Sequence, residues 1–268
     1  MCNRYHSPDE GYIQQYWRLN PRHLGLGARD VFPRSPGRFI RRAVDDPGYS
    51  KEMAVGRWGL IPWFSKTPDI KYSTNNARAE EVADKASFKD PWKRGQRCII
   101  PATTFDEPNW ESGKNVWWRF ARADGDPWGL AGLWNTWKDP ATGELIESYT
   151  MLTLNADEHP LMSRMHKPDP KLTLDKQEKR SVIPIELADV DQWLEGSIKD
   201  AKALLTLAPV EVFAAGPAPN PRHPPQSTGG SFDMPALACR VGEGDWPAGT
   251  QRTDGSAFPS RNTGTSRR

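Results

Sequence analysis

The amino-acid sequence predicts an α+β domain of mainly antiparallel strands with peripheral helices over residues 1–215, followed by a disordered tail over residues 216–268. The first observation is a series of short apolar segments separated by brief links that contain Gly, Pro and Asp. Because a parallel crossover needs about a dozen residues or more, these links favour antiparallel pairing. The second is helical apolar spacing near both ends of the domain. The third is composition: sixteen of the last fifty-three residues are glycine or proline, and large apolar residues are sparse there.

The first half of the domain is predicted to combine helices, a loop and one strand. Apolar spacing predicts a helix over residues 8–19, with Ser7 as its N-cap. Residues 20–50 are rich in proline, glycine and arginine, so we expect a surface loop there. A strand is predicted over residues 53–60 and a short helix over residues 77–86.

The second half of the domain is predicted to consist mainly of strands. Each is a short run of β-branched and aromatic residues bounded by turn-forming residues. The predicted strands cover residues 97–102, 116–123, 128–137, 148–154 and 181–185. Helices over residues 189–194 and 197–205 and a closing segment over residues 210–214 complete the domain, and the sequence contains no internal repeats.

Charge and aromatic content indicate a nucleic-acid partner. Residues 1–42 hold eight arginines, no lysine and three acidic residues, although the whole chain carries a formal charge of only +2. Guanidinium groups bind phosphate oxygens in pairs, so this excess suits a phosphate backbone; an ordinary solvated arginine-rich face would give the same pattern. Twelve tryptophans are many for 268 residues, and those outside the core could stack on unpaired bases.

The three cysteines, Cys2, Cys98 and Cys239, show no spacing typical of a disulfide framework or a metal site. An odd number of cysteines and no apolar run long enough for a signal peptide or a membrane span predict a cytoplasmic protein without a membrane association. We expect no metal, no cofactor and a monomeric chain. Cys98 lies in an apolar strand and is expected to be a small buried side chain.

Cys2 follows the initiator methionine directly, and a residue this small normally allows that methionine to be removed. Removal would leave an α-amine and a thiol on adjacent carbons of one residue. The α-amine has a reference pKa of about 7.7–8.0, so part of it is neutral near pH 7.5. The thiol, with a reference pKa of about 8.5, is a few per cent thiolate, and a cationic neighbour such as Arg4 can make it more acidic. Cys2 is therefore a candidate for a double nucleophile.

Six further motifs follow one another in a definite order, and together they resemble the SOS response-associated peptidase (SRAP) family over residues 1 to about 215. Each motif is loose, but the ordered set is specific. The motifs are Met1-Cys2-Asn3-Arg4-Tyr5, Trp58-Gly59-Leu60-Ile61-Pro62-Trp63, Asn76-Ala77-Arg78-Ala79-Glu80, Arg97-Cys98-Ile99-Ile100-Pro101-Ala102 with Phe105-Asp106-Glu107, Ala131-Gly132-Leu133-Trp134, and Thr153-Leu154-Asn155 leading to Met165-His166.

The resemblance implies a barrel-like fold and an abasic-site sensor that binds single-stranded DNA. In such proteins the N-terminal cysteine traps the ring-opened sugar aldehyde as a thiazolidine crosslink. By position, Cys2 would be the crosslinking residue, and Asn76, Glu107 and His166 would be the other catalytic residues. Arg4, Trp63, Phe64 and Arg78 are expected to contact the DNA.

The chemistry of these residue types agrees with the implied roles. Condensation of an amine with an aldehyde needs a proton removed from nitrogen and one delivered to the departing oxygen. A carboxyl such as Glu107 could do both if burial raises its pKa. His166 could shuttle the proton near neutral pH, and Asn76 could hold the amine or the sugar. The same Schiff base would permit elimination of the 3′ phosphate, a weak lyase activity.

Each of these residues could also have a purely structural or solvent-exposed role. Glu107 precedes a proline and could be a solvated carboxylate in a loop, and Asn76 could be the N-cap of the predicted helix. His166 could be a surface histidine, with His159 as the rival candidate for the site. Trp63 and Phe64 could belong to the core.

Three positions and one apparent insertion depart from the family pattern. Asn3 stands where glycine is usual, Pro33 where an asparagine often precedes the early Pro-Gly, and Pro108 where an aromatic often follows the glutamate. Residues 167–179 are an apparent insertion between His166 and Arg180-Ser181.

Two other functions fit parts of the sequence. An N-terminal-nucleophile amidohydrolase or thiol peptidase would also use a cysteine at the mature N-terminus. A non-catalytic binder of single-stranded DNA would use the arginines and exposed aromatic residues without a covalent product. Hydrolysis of glutamine would favour the former, and steep salt dependence without an adduct would favour the latter.

Overall fold

A computed structural model of the protein describes residues 2–20, 27–46, 48–173 and 177–219. The expected disordered tail, with Cys239, lies outside the described residues. Four short α-helices are described: α1 (Glu10–Tyr16), α2 (Lys89–Lys93), α3 (Val190–Glu195) and α4 (Ile198–Ala203). The strands are β1 (Tyr5–His6), β2 (Asp30–Val31), β3 (Pro36–Arg42), β4 (Lys51–Trp58), β5 (Asn76–Arg78), β6 (Arg97–Ala102), β7 (Thr104–Asn109), β8 (Val116–Arg122), β9 (Trp128–Lys138), β10 (Leu145–Asn155), β11 (Arg180–Val182) and β12 (Phe213–Pro217).

Five strands close into a barrel. Strands β4, β3, β6, β9 and β10 pair in that order, and β10 returns to β4. All of these pairs are antiparallel except β10 with β4, where Tyr149 lies opposite Trp58. The short strand β5 also pairs in parallel with β10, and β11 pairs with it antiparallel. The predicted α+β class with mainly antiparallel, barrel-like pairing is confirmed.

A second sheet of five antiparallel strands lies beside the barrel, in the order β12-β8-β7-β1-β2. Strand β7 follows β6 after a single residue, so the chain passes directly from the barrel into this sheet. The N-terminal strand β1 lies between β7 and β2, with Tyr5 opposite both Phe105 and Val31. This pairing draws the first residues of the chain into the centre of the molecule.

The helices pack against the outside of the sheets through apolar side chains. Ile13 and Trp17 of the first helical segment, Trp92 of α2 and Trp193 of α3 are buried in one cluster. Helix α1 is shorter than predicted because its N-cap is Asp9, whose carboxylate accepts a hydrogen bond from the Tyr12 amide at 2.9 Å. The prediction of Ser7 as the N-cap is therefore wrong. Among the described residues, every helix is too short or too polar to cross a membrane.

The structure also corrects two further element predictions. Residues 20–50 were expected to be loop, but they include β2 and the barrel strand β3, in which Phe39 and Ile40 are buried between half-exposed or buried arginines. Residues 77–86 were expected to be helical, but β5 and a series of turns stand there. The backbone at Asn76–Arg78 pairs with β10 instead, because the sheet supplies its hydrogen-bond partners.

Candidate functional site

Cys2 is fully buried and is held through its backbone. Its carbonyl accepts hydrogen bonds from the side-chain amides of Asn76 at 2.7 Å and Asn75 at 3.3 Å. Two residues after Cys2, the carbonyl of Arg4 accepts a hydrogen bond from the amide of Asp106 at 3.0 Å. Cys2 thus lies between the start of β5 and the middle of β7, two elements far from it in the sequence.

The thiol of Cys2 is in its neutral form. It donates to the carbonyl of Arg4 over 3.4 Å, and burial, together with the nearby negative charge of Glu107, raises its pKa well above the ordinary value. The guanidinium of Arg4 is directed at Asp30, 3.2 Å away, and Asp106, 3.4 Å away. An acidifying effect of Arg4 is outweighed, because burial raises the pKa of the Cys2 thiol more than the hydrogen bond to the Arg4 carbonyl lowers it.

Glu107 and His166 form a pair at the same place. The Glu107 carboxylate and the His166 imidazole are 3.1 Å apart, from Oε2 to Nε2, and only 1% of the glutamate side chain is exposed. Glu107 lies on strand β7, opposite Trp118 of β8, rather than in the loop that its following proline suggested. Pro108 is tolerated in this strand, where its carbonyl accepts a 2.6 Å hydrogen bond from the His166 amide.

The carboxyl of Glu107 is ionised. Burial acts to raise its pKa, but the positive charge of the chain's amino terminus and the interaction with His166 outweigh burial, so the pKa is lowered. The condition named for Glu107, a pKa raised by burial, is therefore not met here. The site combines a thiol of raised pKa with a carboxyl of lowered pKa.

Asn76 and Asn75 hold the cysteine from the other side. Asn76 donates to Cys2 through Nδ2, while its Oδ1 is buried with no hydrogen-bond partner among the described residues. Asn76 opens β5, so its interpretation as a helix N-cap is wrong. Asn75 donates both to Cys2 and to Asn3, the residue that stands where glycine was expected. Asn75 was not among the residues predicted for the site; the signal that could have indicated it is its position directly before Asn76.

The rival histidine, His159, has a structural environment. Its Nδ1 accepts hydrogen bonds from the amides of Leu161 at 3.1 Å and Met162 at 3.0 Å, and its Nε2 lies 2.8 Å from the carbonyl of Ala208. Both ring nitrogens are thereby used to fix backbone segments. Of the two histidines, it is His166 that contacts Glu107.

The aromatic pair Trp63 and Phe64 lies on the surface. Their side chains are 63% and 43% exposed, and the rings meet edge to face with centroids 5.7 Å apart. The interpretation of these residues as core is therefore wrong. An open cleft of about 450 Å³ is lined by Phe64, Asn76 and Arg78, so it connects the aromatic surface with the residue that holds Cys2.

Arg78 is exposed at this cleft and forms ion pairs with Glu81, at 3.2 Å, and with Glu178. These are partly exposed surface pairs, which contribute little to stability and exchange readily for another anion. In the part of the chain that the structure describes, no group of three or more His, Cys, Asp or Glu residues is arranged to hold a metal ion.

The part of the chain that matches a known family contains the two sheets and the candidate site. The family described as SOS response associated peptidase (SRAP) matches residues 1–217, which contain both sheets and all four site residues. The chain belongs to the SRAP family. A structure from Bordetella bronchiseptica is similar with a TM-score of 0.71 and 36% identity, and the alignment covers 82% of this chain and all of that one. A second structure, from Bacteroides thetaiotaomicron, has a TM-score of 0.67 at 21% identity over 82% of this chain and 93% of that one, and shows the fold.

Curated relatives of this SRAP chain carry a functional name. The abasic site processing protein HMCES of Xenopus tropicalis is 29% identical over 189 residues, which cover 62% of this chain and 52% of the relative. The abasic site processing protein YoqW of Bacillus subtilis is 32% identical over 151 residues, which cover 56% of this chain and 65% of the relative. The match therefore spans between half and two thirds of the length of these relatives.

Proposed function

We propose that this protein senses abasic sites in single-stranded DNA and crosslinks to them through Cys2 after removal of Met1. The observation that carries the proposal is the convergence of Cys2, Asn76, Glu107 and His166 from four distant parts of the chain. The name of the curated relatives, abasic site processing protein, supports the same substrate. The chemistry needs only an amine, a thiol and a group that moves protons.

The first step forms a Schiff base. The neutral α-amine of Cys2 attacks the aldehyde carbon of the ring-opened sugar, a C–N bond forms, and one proton of the amine passes to the carbonyl oxygen. Glu107 accepts the second proton from nitrogen and delivers it to the hydroxyl, and the C–O bond breaks as water leaves. His166 lies 3.1 Å from Glu107 and can share that proton.

The second step closes the ring. The sulfur of Cys2 adds to the imine carbon, a C–S bond forms, and the thiol proton ends on the ring nitrogen. The overall change is loss of one water molecule. Because burial keeps the thiol protonated, the amine rather than the sulfur attacks the aldehyde first. The 2.7 Å hydrogen bond from Asn76 to the Cys2 carbonyl fixes the residue that carries both nucleophiles.

The surface around the site suits an unpaired strand. Trp63 and Phe64 expose aromatic faces, on which bases stack whatever their sequence. Arg78 and Arg4 are positioned to exchange a carboxylate partner for a phosphate when DNA arrives. We propose that the protein acts as a cytoplasmic monomer, where Cys2 and Cys98 remain free thiols.

Two further activities belong to the same site. The word peptidase in the family description is consistent with removal of Met1, which exposes the Cys2 amine. A Schiff base that is not closed by sulfur can eliminate the 3′ phosphate, so we also propose a weak lyase activity. Both depend on Cys2 and would be lost or changed with it.

The proposal is tested by incubating the protein with single-stranded DNA that contains one abasic site. Wild type is expected to form an adduct that survives heating, and Cys98→Ala, with its cysteine in the barrel interior, should form it equally well. Cys2→Ala keeps an amine but has no sulfur, so its adduct should require trapping by borohydride. A heat-stable adduct of Cys2→Ala without borohydride, or no adduct with wild type, would contradict the proposal.

A further inference from the structure

The segment that carries His166 has a special backbone conformation. His166 has a φ of 69°, in the left-handed region that non-glycine residues adopt at a cost of about 1 kcal/mol or more. The neighbouring Met165 forms an isolated antiparallel bridge with Asn109, at the end of β7. The conformation aims the imidazole at Glu107, so the contacts that maintain it also maintain the pair.

Lys179 supplies such contacts from the other end of the inserted segment. Its ammonium group donates hydrogen bonds to the carbonyl of Met165 at 2.6 Å and to that of His166 at 3.1 Å. A lysine has three donors and no acceptor, which suits the capture of two carbonyls. The side chain is half-buried, and burial lowers its pKa from the ordinary value.

The backbone of Lys179 is fixed as well. Its amide donates to the Asp157 carboxylate at 2.6 Å, and its carbonyl accepts from the amide of Ala156 at 2.8 Å. These partners directly follow β10, so the base of the side chain is tied to the barrel. Lys179 thus joins a rigid element to the turn that carries His166.

We propose that Lys179 is a positioning residue for the Glu107–His166 pair: by binding the carbonyls of Met165 and His166, it closes the base of the inserted segment and keeps the imidazole against the carboxylate. This inference rests on the proposed crosslinking function. It assigns no contact with DNA to Lys179. Its loss should therefore slow the covalent step and leave DNA binding unchanged.

The test uses three full-length variants with abasic single-stranded DNA. Lys179→Met keeps the length of the side chain without its donors, and should reduce the rate constant of crosslinking about tenfold at saturating DNA. Lys179→Arg keeps donors and should restore most of the rate. Lys171→Met, an exposed lysine of the same segment, is the control and should match wild type, as should the affinity of every variant for DNA without an abasic site.

A double-mutant cycle separates positioning from general destabilisation. If Lys179 acts through His166, Lys179→Met should have almost no further effect on the rate in a His166→Ala background. An undiminished tenfold effect in that background would overturn the inference, as would a Lys179→Met rate equal to wild type.

A measurement without DNA distinguishes the inference from the proposed function. The imidazole signal of His166 in an NMR spectrum can be identified by its absence from His166→Ala. It should move in Lys179→Met and return in Lys179→Arg. An unmoved signal would overturn the positioning role even if crosslinking occurs. If the signal moves but wild type does not crosslink, the positioning contact is supported and the proposed function is contradicted.

Discussion

At the residue scale, the site is built on opposite protonation states of two buried groups. The Cys2 thiol is protonated because burial and the charge of Glu107 disfavour a second anion. The pKa of Glu107 is lowered, despite burial, because the amino terminus of the chain with Met1 present and the interaction with His166 outweigh burial. In the proposed mechanism, the amine of Cys2 therefore attacks the aldehyde before the sulfur does.

Glu107→Gln should lower the rate constant of crosslinking by about 10²-fold or more, because the amide keeps the shape of the side chain but cannot carry a proton. The reaction is followed by denaturing gel electrophoresis of single-stranded abasic DNA over time. Glu144→Gln, in the exposed turn before β10, is the matched control and should react like wild type. A Glu107→Gln rate within threefold of wild type would remove the proton-transfer role.

At the scale of elements, β7 and the turn before His166 are held together by charges as well as by backbone. Glu111 receives two hydrogen bonds of 2.8 Å from Arg164 and one of 2.9 Å from Asn109. The hydrogen bonds from Arg164 are the main cause that lowers the pKa of Glu111 to about 2. Because 41% of the Arg164 side chain and 48% of the Glu111 side chain are exposed, solvent screening limits what this pair contributes.

Glu111→Gln should lower the Tm by about 1–3 °C at pH 7. A carboxyl with a lowered pKa in the folded state stabilises the fold above its unfolded pKa of about 4.3, and this contribution fades as the pH falls toward 2. The Tm difference from wild type should therefore shrink between pH 5 and pH 3 in thermal scans. A difference that grows over that interval would show that the pair does not act as described.

The sequence predicted seven elements close to their observed bounds: β4, β6, β8, β9, β10, α3 and α4. Strand β3 was missed because its apolar core, Phe39 and Ile40, is flanked by arginines, of which Arg41 pairs with Glu52 and Glu147 only after folding. Strand β7 was missed because Pro108 signals a break in a strand. In the structure Pro108 lies within β7, and its carbonyl accepts a hydrogen bond from the His166 amide.

The residues of the candidate site were named from motif order, but their protonation states were not predicted. The structure brings Cys2, Asn76, Glu107 and His166 together. The neutral thiol and the ionised carboxyl depend on burial and on charges brought from other strands, which no local pattern contains. The pairing of Arg4 with Asp30 and Asp106 likewise depends on residues that only folding brings together.

At the scale of the whole molecule, closure of the barrel depends on close contact between strands. A Cβ added at Gly132, on β9, would lie 2.7 Å from the carbonyl oxygen of Thr150 on β10 and 2.8 Å from the sulfur of Cys98 on β6. Backbone of a paired strand cannot move away without breaking the ladder. Glycine is therefore required where three strands of the barrel meet.

Gly132→Ala should cost about 1–3 kcal/mol of folding free energy, as overpacking does, and lower the Tm by about 3–10 °C. Differential scanning calorimetry measures the change. Gly216→Ala is the control, because no atom lies within 4 Å of its added Cβ. Equal Tm values for the two variants would contradict the closed barrel described here.

The central claim is that Cys2 becomes the N-terminal residue and captures an aldehyde with both its amine and its thiol. Intact mass spectrometry of the purified protein, before and after reaction with single-stranded abasic DNA, tests it most directly. We expect the mass of the free protein to lack Met1, and the mass of the adduct to equal that of protein plus DNA minus one water. A protein that retains Met1, or that gains no DNA, would contradict it.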